Sequence, residues 1–196
     1  MKVAIVRYNA GNVYSVECAL KRLGITPVVT SDKETLLSAD KIIFPGVGEA
    51  ATAMARLRQE GLDRLIPAFT RPVLGICIGM QLMCHYSEEG NTDCLGIFDA
   101  EVKKFGPADS DFKVPHVGWN TITGTGNHPF PGISVPEYVY YVHSYYVPVN
   151  SSTTAVTEYI HPFSAVLCKD NFYACQFHPE KSGEAGERII DCFLRL

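Results

Sequence analysis

Basic residues are in the minority, disulfide spacing is missing, and no apolar run is long enough to cross a bilayer; each absence removes a class of function. Seventeen Lys and Arg stand against 21 Asp and Glu, a formal charge of −4, so the chain lacks the positive stripe with which nucleic-acid binders neutralise phosphates. The seven Cys, at 18, 77, 84, 94, 168, 175 and 192, are odd in number and form no C-x-x-C pair, which fits a reducing compartment better than a disulfide framework. The most apolar stretch, Val73 to Cys84, is interrupted by Gly75, Gly79 and Gln81, far short of the roughly 18 uninterrupted residues of a membrane span. The opening Val3 to Val6 meets Arg7 too soon for the core of a signal peptide. His and Cys show no H-E-x-x-H or similar ligand spacing, and no G-x-x-x-x-G-K or G-x-G-x-x-G is present, so neither a metal nor a nucleotide cofactor is expected. The expectation is a cytoplasmic protein with no cofactor, no nucleic acid and no membrane.

What is present is ordinary globular material, 46% apolar and 19% charged over 196 residues, enough for one full core without staples. Val3 to Val6 reads as a strand, and Val13, Val16, Leu20 and Leu23 recur at helical spacing until Gly24. Pro27 to Thr30, Lys41 to Phe44 and Val73 to Ile76 repeat the strand signal, with helical Glu34 to Ala39 and Ala50 to Leu57 between them. This alternation predicts an α/β fold, a mostly parallel open sheet covered by helices on both faces. Beyond residue 97 strand-like stretches follow one another: 101–105, 119–123, 138–143, 155–160, 164–168 and 172–177. They predict an antiparallel extension of the same sheet before a last helix, Glu184 to Leu196. No linker or repeat divides the chain, so residues 1–196 are expected to be one domain.

Gly75-Ile76-Cys77-Ile78-Gly79 comes directly after a buried strand and before a helical Met80 to Tyr86. A strand turning sharply into a helix needs residues without Cβ on both sides, the layout of a nucleophile elbow. There the helix N-terminus favours a thiolate on Cys77, and the N–H of Ile78 can hold an oxyanion. Core filling by a small buried thiol is the competing reading. In Gln176-Phe177-His178-Pro179-Glu180, residues i and i+2 of an extended chain share a face, so Glu180 can fix the tautomer of His178. Alone this pair reads as a surface turn; with Cys77 upstream, a Cys-His-Glu triad is the better reading. Pro45-Gly46-Val47-Gly48 follows a strand and precedes a helix, where a second oxyanion donor could stand. Asn12 reads as a helix cap, Lys181 as a solvated lysine, and Trp119 with the aromatic run 138–146 as sheet packing or an anchor for a partner.

These motifs, G-I-C-I-G-M-Q at 75–81, P-G-V-G at 45–48 and H-P-E at 178–180, resemble the triad-type (class I) glutamine amidotransferases across nearly the whole chain. P-G-V-G, H-V-G-W-N at 116–120, V-H-S-Y at 142–145 and Tyr8 to Asn12 further resemble the glutaminase subunits of imidazole glycerol phosphate synthase. The resemblance implies that Cys77, His178 and Glu180 hydrolyse glutamine to glutamate and ammonia, with Ile78, Val47 and Gly48 around the oxyanion. It also implies that Gly46, Gln81, Glu89, Ser144 and Tyr145 hold the substrate. Its partner would be a (β/α)8 synthase subunit in a heterodimer that makes imidazole glycerol phosphate and aminoimidazole carboxamide ribotide in histidine biosynthesis, met through Asn12, Trp119 and Lys181. Val47 stands where most such proteins carry glycine. A β-branched residue resists the positive φ that would present its N–H, so weak activity alone and strong activation by the liganded partner are expected. The rival readings are a glutaminase serving another synthase, such as pyridoxal phosphate or anthranilate synthesis, a non-glutaminase enzyme with the same elbow, and an inactive binding subunit.

Overall fold

The computed structural model describes residues 1–8, 13–46, 48–106, 112–124 and 135–196. The first half alternates as its apolar pattern requires: β1 (Val3–Val6), α1 (Val13–Arg22), β2 (Val28–Thr30), α2 (Lys33–Leu37), β3 (Lys41–Gly46), α3 (Ala50–Glu60), α4 (Leu62–Leu65) and β4 (Val73–Cys77). Asp32 caps α2 by accepting the Thr35 N–H at 2.8 Å. Helix α3 closes on Gly61, whose φ of 66° is the left-handed turn that glycine adopts without a Cβ clash. After β4 come α5 (Ile78–Leu82), β5 (Cys84–Ser87), β6 (Thr92–Asp93), β7 (Phe98–Lys104), β8 (His116–Gly124), β9 (Glu137–His143) and β10 (Tyr145–Tyr146). The chain ends with β11 (Thr153–Glu158), β12 (Pro162–Lys169), β13 (Phe172–Cys175), a 3₁₀ turn at Pro179–Lys181 and α6 (Gly183–Arg195).

The main sheet runs β2-β1-β3-β4-β13-β12-β11-β8-β9. Strands β2 to β13 in that order are parallel, and the rest pair antiparallel, as the change of texture near residue 97 predicts. Alternate residues enter two cores. Ala4, Val6, Ile42 and Phe44 pack under α2, α3 and α4, while Val3, Ile5, Ile43 and Leu74 pack under α1 and α6, so both faces are covered.

Two expectations need correction. The helix after the elbow stops at Leu82, and Cys84–Ser87, expected to be helical to Tyr86, is strand β5. Its backbone has sheet partners at hand: Cys84 pairs with Phe98 and Ser87 with Val102, and this tertiary pairing overrides the local apolar spacing. Second, the stretch 101–105, expected to extend the main sheet, falls mostly in β7, which belongs to a separate four-stranded sheet, β10-β7-β5-β6. Two of its strands are only two residues long, too short for a period-2 signal.

Strand β13 decides where chemistry can occur. It inserts parallel beside β4 with Ala174 opposite Gly75 and Cys175 opposite Ile76, while Gly46 of β3 pairs with Cys77 on the other side. Parallel strands bring their carboxyl ends to one edge. Gln176 to Glu180 therefore emerge next to Cys77 although about a hundred residues separate them.

Candidate active site

Cys77 is the last residue of β4 and the N-cap of α5, with φ 53° and ψ −109°. Such a conformation costs a non-glycine residue on the order of 1–3 kcal/mol, and close packing enforces it. A Cβ on Gly79 would collide with the Phe44 carbonyl oxygen, and one on Gly75 would lie 2.9 Å from the Met83 sulfur. Both glycines let the strand and helix approach, as the G-x-C-x-G spacing predicts. Gly46 is equally confined, since a Cβ there would meet the Tyr8 hydroxyl and the Ile78 side chain. Tyr8 is itself fixed by donating to the Pro45 carbonyl at 2.7 Å.

His178 is buried, and its Nδ1 lies 2.8 Å from Glu180 Oε1, whose side chain is buried as well. The backbone holds this pair in place: the His178 N–H donates to the Tyr140 carbonyl at 2.9 Å, and Ser182 Oγ donates to the His178 carbonyl at 2.7 Å. Burial works against a charged imidazole, but the neighbouring Cys77 sulfur, as thiolate, and the Glu180 carboxylate outweigh it and raise His178 to about 10. Its Nε2 has no formed hydrogen bond. That nitrogen is left for a proton exchanged with a neighbour, and both His178 and Cys77 line the same cavity of about 360 Å³.

Gly48, Ile78, Gln81, Glu89, Ser144 and Tyr145 line that cavity too, so it gathers eight of the residues singled out in the sequence. Gln81 is buried, and its Nε2 donates to the Tyr145 carbonyl at 3.0 Å and to Gln176 Oε1 at 2.9 Å, which leaves its own oxygen for a ligand. Glu89 reaches across from the β5–β6 turn, and Oε2 accepts the Ala50 N–H at 2.8 Å. Half-burial raises its carboxyl, with the Glu49 charge adding to the effect and the Ala50 bond opposing it. Gly48 has φ 108°, a left-handed value that suits glycine. Val47 and Asn12 lie outside the described residues. Trp119 is 56% exposed on β8, edge-on to Tyr140 and near Gly183, so it shares one side of the molecule with the exposed Lys181. Pro115, Val142, His143 and Gln176 complete the surroundings. Sequence reasoning gave them no role in the site, although Val142, His143 and Gln176 fall within motifs it quoted; the signal for Gln176 was its i−2 relation to His178, which puts it on the same face. Among the described residues no cluster of His, Cys, Asp and Glu could hold a metal ion, and no helix is long and apolar enough to cross a membrane.

The family described as "Glutamine amidotransferase class-I" matches residues 5–195. An imidazole glycerol phosphate synthase subunit HisH from Bacteroides fragilis (strain YCH46) is 64% identical over 196 residues, covering all of both chains. The chain is a class-I glutamine amidotransferase of the HisH family. The HisH subunit of Escherichia coli (strain K12) is 46% identical over 198 aligned residues, again covering both chains fully. Among solved structures, a glutamine amidotransferase from Thermotoga maritima superposes with a TM-score of 0.62 at 15% identity, over 100% of this chain and 83% of that one. At that identity the likeness speaks for the amidotransferase fold alone.

Proposed function

We propose that this chain hydrolyses glutamine and hands the ammonia to a (β/α)8 synthase subunit, in a heterodimer that forms imidazole glycerol phosphate and aminoimidazole carboxamide ribotide. Residues 1–196 act as a single amidotransferase domain in the cytoplasm, without metal or cofactor. The observation that carries this reading is the convergence, in one cavity, of a cysteine held at a strained elbow and a buried His178 backed by a carboxylate at 2.8 Å. The 64% identity to a protein named as a synthase subunit supports the choice of partner over another synthase.

In this reading glutamine lies with its α-ammonium toward Glu89 and the free oxygen of Gln81, near the backbone of Ser144 and Tyr145. The Cys77 sulfur attacks the side-chain amide carbon, and the C=O electron pair moves onto oxygen, held by the Ile78 N–H and a donor from the Gly46–Gly48 loop that includes Val47. His178 delivers its proton to the nitrogen as the C–N bond breaks. Ammonia leaves, and a γ-glutamyl thioester remains. His178, now neutral, takes a proton from water as it attacks the thioester; the thiolate departs with glutamate, and Glu180 steadies the imidazolium formed. Ammonia released to bulk water would be protonated and lose its nucleophilicity, so direct delivery to the partner bound over Asn12, Trp119 and Lys181 preserves it.

The test is Cys77→Ala reconstituted with the barrel partner. Glutamine-dependent synthesis should fall by about 10³-fold or more while ammonium-dependent synthesis persists. Glutamine use at the wild-type rate would overturn the assignment. Comparing wild-type glutamine turnover with and without the partner's own ligand tests the expected activation.

A further inference from the structure

We propose that Gln176 is a donor to the Cys77 sulfur, held in one orientation by Gln81 and by the Tyr145 carbonyl, on which two strings of hydrogen bonds converge, one from Gln81 and one from the buried pair His116 and His143. The inference deepens the glutaminase reading of the cavity and rests on it for the reaction, though not for the geometry.

The direction of every link follows from which atoms can only accept. A peptide carbonyl has no proton, so His143 Nδ1, 2.7 Å from the Tyr145 carbonyl, carries the hydrogen. In a neutral ring His143 Nε2 is then bare. It faces His116 Nδ1 at 3.0 Å, which must donate, leaving His116 Nε2 bare. From the other end, the Asn120 amide nitrogen donates to the Glu158 carbonyl at 2.9 Å and its oxygen accepts the Thr121 N–H at 2.7 Å. Its second hydrogen points to His116 Nε2 at 3.4 Å. The two ends of the chain thus impose the same tautomers independently.

The surroundings keep both rings neutral. His116 is stacked between Tyr159, with centroids 3.9 Å apart, and Tyr141, at 4.8 Å, and burial lowers it to about 4. Burial is also the main reason that His143 falls to about 3, against the pull of the Tyr145 bond. A proton on either ring would set N–H against N–H and break the chain.

The same logic runs on to the sulfur. The Tyr145 carbonyl accepts from His143 and from Gln81 Nε2, filling both lone pairs. Gln81 Nε2 has one hydrogen left and gives it to Gln176 Oε1. With its oxygen committed, Gln176 turns its own Nε2 toward Cys77 Sγ at 3.8 Å. A reversed amide would oppose two N–H groups and aim an oxygen at the thiolate. Gln176 therefore touches the reacting atom, and His143 and His116 are positioning residues.

Three measurements on the full-length chain test this. Gln176→Glu keeps an acceptor for Gln81 but, while ionised, cannot donate, and Gln176→Met removes the donor without charge. Each should slow iodoacetamide alkylation of Cys77, followed by mass spectrometry of its peptide, by about tenfold or more at neutral pH. In the assembled complex kcat for glutamine should fall by a similar factor with KM little changed. His116→Phe preserves the aromatic stack but leaves His143 Nε2 without its donor; a loss of about three- to fivefold is expected, with partial rescue by His116→Gln. The ¹⁵N spectra of the histidine rings should show the Nδ1–H form for both residues near pH 7. Wild-type alkylation in a folded Gln176 variant, or an Nε2–H tautomer at His143, would overturn the proposal. A wild-type complex that fails to hydrolyse glutamine would instead sink the glutaminase reading, while the alkylation and tautomer arms would still decide this one.

Discussion

Two buried histidines line one cavity and have opposite electrostatic fates. His178 Nδ1 meets a carboxylate at 2.8 Å and has Cys77 beside it; His143 Nδ1 meets a peptide carbonyl at 2.7 Å, and its other nitrogen meets a second imidazole. Burial opposes charge at both. At His178 the neighbours win and raise it to about 10, whereas at His143 burial wins and lowers it to about 3. Removing an imidazole from water makes it a fixed connector; only a countercharge turns it into a group that carries a proton at neutral pH.

The contrast can be broken most directly at Glu180. Glu180→Gln removes the charge that separates His178 from His143 and should lower kcat for glutamine by about 10²- to 10⁴-fold, read by glutamate release from the complex. A loss below tenfold would mean that Glu180 is structural. Stability against pH sharpens the comparison from both sides. His116 and His143 titrate lower in the folded chain than the ordinary 6.5, so the unfolded chain binds more protons on acidification and stability drains away as pH falls from about 6.5 toward 4 and 3. His178 titrates higher when folded, so its contribution is whole below about 6.5 and fades as pH rises through about 10. Melting temperatures should fall on both sides of neutrality, with His116→Phe flattening the acid limb and His178→Asn the alkaline one. An acid limb unchanged in His116→Phe would show that the pair is not what titrates. The smallest effect on either histidine is expected from Trp119→Ala, which lies on the same strand as His116 but faces outward. Affinity for the barrel partner should drop about tenfold or more in a titration of the complex, while both ring signals stay where they were.

The parallel half of the fold was legible because its strands are short continuous apolar runs, as at Val3–Val6, and its helices carry a 3.6 period. The site was legible to the degree that its chemistry is local: Gly75, Gly79, Pro179 and Glu180 each sit within three residues of the group they condition. Strand β5 was not, because Cys84–Ser87 becomes a strand through partners outside it, Phe98 and Val102 on one side and Thr92 and Asp93 on the other. The histidine pair was invisible for the same reason. His116 and His143 meet across the β8–β9 register, and nothing within either segment indicates that one ring will hold the other.

The place of β13 beside β4 also bears on how the molecule comes into being. A ribosome completes the strand that carries Cys77 about a hundred residues before it reaches His178, and the two edges can join only after everything between them has been made and set aside. Such a non-local closure belongs to the slower class of folding reactions. A nascent or prematurely terminated chain ending before Phe172 therefore carries Cys77 without β13 and without the imidazole that shares its cavity.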